Sequence, residues 1–297
     1  MDAVAVHAAT LIAIGTWHPK REGQPLALST WTSPDAGTTW TEEPRDAYGD
    51  RMPPFARQLL TATDFGFVAV HFTGFPVVMV SADGTTWGEL EGTNDIAKAQ
   101  FRDIVGRDDT LVAVGLDTST TPSGILTPDA WTYTDAAGWT TLNDRFSGAI
   151  VGSLAADASG FYAAGMVLPD SDTTAGAIAT IWESEDGTSW QQRILSQSPD
   201  RETGPIAHGS LGTLVTGDAV VSAPTTDDAA PTTFAWFVRN DAPDGAAQEY
   251  PIAWAGRAAV ALPDRFIVFG VCPPQPKDCT GPAMLTFTAS DKQYEAR

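Results

Sequence analysis

Ser33-Pro34-Asp35-Ala36-Gly37-Thr38-Thr39-Trp40 is the stretch that decides the fold. It returns as Ser81-Ala82-Asp83-Gly84-Thr85-Thr86-Trp87 and as Ser184-Glu185-Asp186-Gly187-Thr188-Ser189-Trp190, with a worn copy at Asp135-Ala136-Ala137-Gly138-Trp139. Trp40, Trp87, Trp139 and Trp190 are spaced by roughly fifty residues, a period that marks a solenoid or a propeller. In such a turn the Asp carboxylate accepts hydrogen bonds from backbone N–H groups just ahead, and Gly takes φ values that other residues resist. The Trp then falls at the start of the next strand.

Working outward, Trp31, Met79, Trp131 and Trp182 each stand four residues before the Asp of their copy. Trp236 stands four before Asn240, and Phe287 four before Asp291, which extends the register to two more copies with eroded turns. Each copy also holds a short β-prone run that commonly ends in Gly: Leu11 to Gly15, Phe67 to His71, Leu111 to Gly115, Phe161 to Gly165, Leu214 to Gly217 and Phe266 to Gly270. About ten residues ahead of each lies a further short run, beginning at Val4, Gln58, Ile104, Ala149, Pro205 and Ala258. These runs are strands A and B. The Trp31 series is strand C, and the Asp turn leads into strand D. Four short strands repeated six times, with no useful helical period, predict an all-β chain: a six-bladed β-propeller of four-stranded antiparallel blades. The expected blades are residues 1–44, 45–93, 94–142, 143–195, 196–251 and 252–297, the last ending in a strand at Lys292 to Glu295. One blade cannot bury its own faces, so the strand C aromatics are expected to pack blade against blade.

The composition narrows the function. A formal charge of −20, from 37 acids against 17 bases, argues against nucleic acid and against acidic lipid surfaces as partners. No uninterrupted apolar segment has spanning length, so membrane insertion is not expected. Residues 1–15 read as the first repeat and not as a leader. Cys272 and Cys279 bracket Pro-Pro-Gln-Pro-Lys-Asp, a short loop that a disulfide would close, with a pair of free thiols as the alternative. The spacing is not a zinc pattern. The disulfide reading carries with it an extracellular or otherwise extracytoplasmic location, and a monomer is expected.

The repeated turn resembles that of the Asp-box (BNR) propeller family, which includes sialidases, other glycoside hydrolases, sortilin-type receptors and assembly factors. The resemblance implies that Asp35, Asp83, Asp135 and Asp186, with Trp40, Trp87, Trp139 and Trp190, are structural, and that they lie on the face away from the ligand. The Arg-Ile-Pro motif and the Tyr–Glu pair of sialidases have no counterpart here. The ligand face would then carry the D-to-A and B-to-C loops. Arg45, Arg51, Arg57, Arg102, Arg145, Arg201 and Arg257 fall in D-to-A segments, where guanidinium groups suit a carboxylate, sulfate or phosphate; pairing with neighbouring acids is the competing reading. The longest such loop, Pro44 to Ala56, holds Tyr48 and Asp50, and carboxylates there suit acid–base work on a glycosidic bond. Trp17 and Trp254 lie outside the packing series and suit stacking on a sugar face, and His71 follows strand B of the second blade.

No metal site and no cofactor are expected. Carboxylates of the B-to-C loops such as Asp117 and Asp218 read as a solvated acidic rim before they read as calcium ligands. There is no nucleophile elbow and no Gly-rich phosphate loop. The leading expectation is therefore recognition of a glycan, a glycoconjugate or an anionic small molecule at the face opposite the Asp turns. A glycoside hydrolase or polysaccharide lyase is the first alternative, and an assembly scaffold with a protein partner is the second.

Overall fold

The computed structural model describes residues 3–17, 27–42, 59–72, 75–118, 127–142, 145–169, 176–196, 198–199, 201–219, 233–241, 246–252, 255–271 and 282–288. They form six consecutive antiparallel sheets. The first comprises β1 (Ala3–His7), β2 (Thr10–Trp17), β3 (Ala27–Ser33) and β4 (Thr41–Glu42). The second comprises β5 (Leu59–Thr63), β6 (Gly66–Phe72), β7 (Pro76–Ser81) and β8 (Gly88–Glu89). A single 3-10 turn, Thr93–Ile96, precedes the third, which holds β9 (Ala99–Arg107), β10 (Thr110–Asp117), β11 (Thr127–Thr134) and β12 (Gly138–Thr141). The fourth is β13 (Ala149–Asp157), β14 (Gly160–Val167), β15 (Ile178–Ser184) and β16 (Gln191–Ile194). The fifth is β17 (Arg201–Gly209), β18 (Gly212–Ala219), β19 (Thr233–Arg239) and β20 (Gln248–Ile252). The sixth has three described strands, β21 (Ala255–Leu262), β22 (Arg265–Val271) and β23 (Pro282–Thr288); the strand expected at Lys292 to Glu295 lies outside the described residues. The fold is an all-β six-bladed propeller. Residues Met1–Asn143 and Asp144–Arg297 form two compact units of three blades each.

The aspartate turns between third and fourth strands share one hydrogen-bond pattern. In the second blade Asp83 Oδ1 accepts from Thr85 N and Thr86 N, both at 2.8 Å, and Ser81 Oγ accepts from Gly84 N at 2.8 Å. In the fourth, Asp186 Oδ1 accepts from Thr188 N and Ser189 N at 2.7 and 2.8 Å, and Ser184 Oγ from Gly187 N at 2.9 Å. The first blade inserts Ala36, which takes φ 56°, yet Asp35 Oδ1 still accepts from Thr39 N at 2.8 Å. In all three the Trp indole N–H donates back to the turn glycine's carbonyl, at 3.1, 3.2 and 3.0 Å for Trp40, Trp87 and Trp190. The backbone N–H donors of each turn hold the carboxyls of Asp35 and Asp83 below the usual carboxylate range and bring that of Asp186 to about 2.

The third blade is built differently. Its loop is shorter, Ala137 N donates to Thr134 Oγ1 at 3.2 Å, and Asp135 accepts from the Tyr133 hydroxyl at 3.3 Å. Trp139 is inside β12, opposite Tyr133, and its ring packs on Phe101 and Tyr133 at 5.6 and 5.4 Å. Here the tryptophan fills the core, because its place inside β12 sets the ring against Phe101 and Tyr133 instead of over the turn.

The aromatic series on the third strands fills the space between sheets. Trp131 shares a buried cluster with Val68, Val70 and Val78 of the second blade. Trp236 does so with Tyr162, Ala164 and Ile181 of the fourth, and Phe287 with Phe237 and Ile252 of the fifth. The glycine that closes strand B has a separate cause. The first strands of blades three to six each carry a bulge, at Arg102, Gly152, Gly204–Pro205 and Arg257. The bulge swings a carbonyl toward strand B. A Cβ on Gly115, Gly165 or Gly217 would sit 2.1, 2.3 or 2.0 Å from the carbonyl oxygen of Gln100, Ile150 or Glu202.

Two substitutions test this account. Gly165→Ala is expected to lower the unfolding free energy by about 1–3 kcal/mol, whereas Gly152→Ala, which meets no atom within 4 Å, stays near wild type in the same urea titration. Asp186→Ala is expected to cost about 1–2 kcal/mol at neutral pH. Because the folded carboxyl sits below its unfolded value, that contribution is present above about pH 4 and fades as pH falls toward 2. Denaturation curves of variant and wild type should therefore converge in acid.

Candidate functional site

The residues singled out from the sequence have separate fates. Tyr48, Asp50, Arg57 and Trp254 lie outside the described residues, as do Cys272 and Cys279. Trp17 ends β2, and its side chain is outside the description. His71 is in β6 with 1% of its surface exposed, so its ring belongs to the interior of the second blade. Arg102 is half-buried at the bulge of β9, Arg257 is exposed at the bulge of β21, and Arg145 is exposed just ahead of β13. A bulge re-aims the residue it releases from the ladder. Among the described residues no group of three or more His, Cys, Asp or Glu side chains is placed to hold a metal ion. No helix among them is long and apolar enough to cross a membrane.

The structure does build a polar site, within residues Asp144–Arg297, at the turn ends of the fourth and fifth blades. Two adjoining recesses of about 410 and 280 Å³ share Ser159, Tyr162 and Glu183. The larger runs along the aspartate turn past Glu185, Asp186, Ser189 and Gln191. The smaller is lined by Arg193, His208, Thr213, Arg239 and Asn240.

At its floor the His208 ring of β17 lies flat on the Tyr162 ring of β14, centroids 3.6 Å apart and planes 8° from parallel. His208 Nδ1 is 2.7 Å from Thr213 Oγ1, and its Nε2 faces Asp157 Oδ2 at 3.6 Å. Asp157 Oδ1 accepts from both Ser159 N and Ser159 Oγ, and Ser159 Oγ is 2.8 Å from the Tyr162 hydroxyl. On the rim Arg193 donates to Glu183 Oε2 at 3.1 Å, and Arg239 grips Asp241 with two bonds of 2.7 and 2.6 Å. Burial pushes the His208 imidazole below its ordinary value of 6.5, and the Asp157 carboxylate pulls partly the other way.

The chemistry of this recess is that of a hydrogen-bonding surface with excess carboxylate. Thr213 Oγ1, His208 and Asp157 line up as a hydroxyl–imidazole–carboxylate series, but Thr213 is 2% exposed and a substrate carbonyl has no approach to it. None of these three is among the candidate ligand residues read from the sequence. The signal was present in the repeat register. Tyr162 stands where Ile12, Val68 and Val112 stand in other blades, and Thr213 where Leu11, Phe67 and Leu111 stand. Polar groups in two apolar slots of adjoining repeats mark a local change of environment.

No protein-family model matches the chain, and no curated protein matches it. Solved structures do. The structure of YCF48 bound to D1 peptide is similar with a TM-score of 0.58 at 14% identity, over 98% of this chain and 78% of that one. The endosialidase of phage phi92 is similar with a TM-score of 0.55 at 12% identity, over 100% of this chain and 69% of that one. A protein of unknown function from Dyadobacter fermentans DSM 18053 is similar with a TM-score of 0.54 at 15% identity, over 96% and 92%. At such identities the likeness is one of fold.

Asp157→Asn tests the electrostatics of the His208 site. It keeps an oxygen for the Ser159 donors and removes the charge that favours imidazolium. The His208 ring is expected to titrate at lower pH in the variant, read from its ring-proton shifts by NMR.

Proposed function

We propose that this chain is a carbohydrate-active propeller of the Asp-box (BNR) type that hydrolyses a glycosidic bond. The observation that carries the proposal is the likeness along the whole chain to the phage phi92 endosialidase. Support for the Asp-box assignment comes from the shared pattern of Asp35, Asp83 and Asp186, each carboxylate tied to the backbone of its own turn. Such carboxylates are committed to structure, so the reacting groups belong elsewhere.

In this proposal they belong to the loops between blades at the pole away from those turns. Hydrolysis needs two carboxyl groups flanking the bond, one as acid and one as base or nucleophile. Asp50, with Asp46 in the same loop, supplies carboxylate chemistry, and Tyr48 a neighbouring hydroxyl. Arg57 and Arg102 suit an acidic sugar or a sulfated one, and Trp17 a sugar face. In the second unit Arg145 stands ahead of β13, Arg257 near the start of β21, and Trp254 directly precedes β21 in sequence.

A second reading has its own support. YCF48 is similar over nearly the whole chain and is described bound to a peptide. A propeller that clasps an extended peptide would need a groove and no acid pair.

The deciding experiment is reducing-sugar release from a panel of neutral and acidic polysaccharides, run beside a glycan array on the same purified protein. Release that falls by about 10²-fold or more in Asp50→Asn is the expected result. Array binding without release overturns hydrolysis and leaves recognition alone. Silence in both overturns the carbohydrate reading and favours the peptide one.

A further inference from the structure

The seam between the fourth and fifth blades is closed by an imidazole, and an imidazole is the side chain that changes charge nearest neutral pH. We propose that His208 is a pH-sensitive latch: uptake of a proton by its ring loosens the contact between these two blades and opens the recess beside it. The inference is independent of which ligand the protein takes.

Each blade supplies part of the latch. From the fifth come His208 itself on β17 and Thr213 on the paired strand β18. From the fourth come Tyr162 on β14, stacked on the ring, and Asp157 at the end of β13. The other charged groups lining the recess are already engaged: Glu183 of β15 with Arg193 of β16, and Arg239 of β19 with Asp241. Thr213 and the imidazole are almost wholly enclosed, with 2% and 6% exposure.

The proton is assigned from the carboxylate 3.6 Å from one ring nitrogen. Nε2 faces a carboxylate, which only accepts, so the neutral ring carries its hydrogen there. Nδ1 then accepts the Thr213 hydroxyl hydrogen at 2.7 Å. A second proton must enter at Nδ1, where it meets that hydroxyl hydrogen, and Thr213 has to rotate from donor to acceptor inside a closed seam. Asp157 and the Tyr162 ring face both favour a cation. Asp157 is nonetheless 3.6 Å away, with its other oxygen occupied by Ser159, and burial opposes the charge more strongly.

The sign follows. The folded ring takes a proton less readily than the unfolded one, whose value is about 6.5. The seam's contribution is complete above that pH and is lost as pH falls through the folded value. The neutral stack of His208 on Tyr162 is the closed state, and its protonated form is the open one.

The test uses the full chain and two readouts. Hydrogen exchange of the backbone amides of β14 and β17 is compared at about pH 7.5 and about pH 5 after correction for intrinsic rates. Protection is expected to fall about threefold or more in wild type, with the amides of β9 and β10 as an internal reference, and to hold steady in His208→Gln. Equal loss in both proteins, or no loss in either, overturns the latch. The second readout is the wild-type His208 ring titration by NMR, which needs no variant to fold. A midpoint at or above 6.5 overturns the proposal, since protonation would then tighten the seam.

Discussion

A sheet of four short strands cannot cover both of its own faces, and every other feature of this chain answers to that limit. The answer is one large side chain on the third strand of each repeat. Trp131, Trp236 and Phe287 are all nearly fully buried between their own blade and the one before it. Each such core is shared by two neighbouring blades, so removing one aromatic opens two blades at once. The aspartate turns act at the rim of the same arrangement. By binding two backbone N–H groups with one carboxylate they fix where the fourth strand starts, and that sets the third strand's aromatic at a constant distance from the turn.

That coupling is why the fold could be read from the sequence. Ser81, Asp83, Gly84 and Trp87 each perform a backbone task that few other residues can perform, so their spacing survives copying. The glycines closing strand B were legible for the same reason, although their cause was not: Gly165 is required by a carbonyl of the neighbouring strand and not by a turn. The worn third copy looked like a weaker version of the same turn. It is a different hairpin, in which Thr134 takes over from the aspartate and Trp139 moves into the core. Asp135 to Trp139 spans the same length as Asp83 to Trp87; what separates the two designs is that the glycine has moved next to the tryptophan and Tyr133 stands where Ser81 stands, differences that sequence similarity alone weighs too lightly.

The site was less legible because its members share no motif. Asp157, Ser159, Tyr162 and Glu183 come from one repeat and His208 from the next, and only the stacking of blades brings the histidine against Asp157 and Tyr162. Single-residue reasoning ranks a histidine in a strand by its own neighbours in sequence. Ala207 and Gly209 say nothing of a tyrosine one blade away. The segment Pro44 to Ala56 presents the opposite case, rich in chemistry by composition but carrying no part of the repeat signature.

The recurring bulge in the first strand has a consequence for how such a chain diversifies. The residue at the bulge makes no ladder pair, so its identity is released from the demands of strand pairing that bind its neighbours. The four blades that show it hold Arg102, Gly152, Gly204 with Pro205, and Arg257 there, a cation in two and a glycine in the other two. Each repeat thus carries one address whose occupant can be exchanged without renegotiating the architecture. A gene built by duplicating one blade would acquire, with every copy, another independent place to try new chemistry.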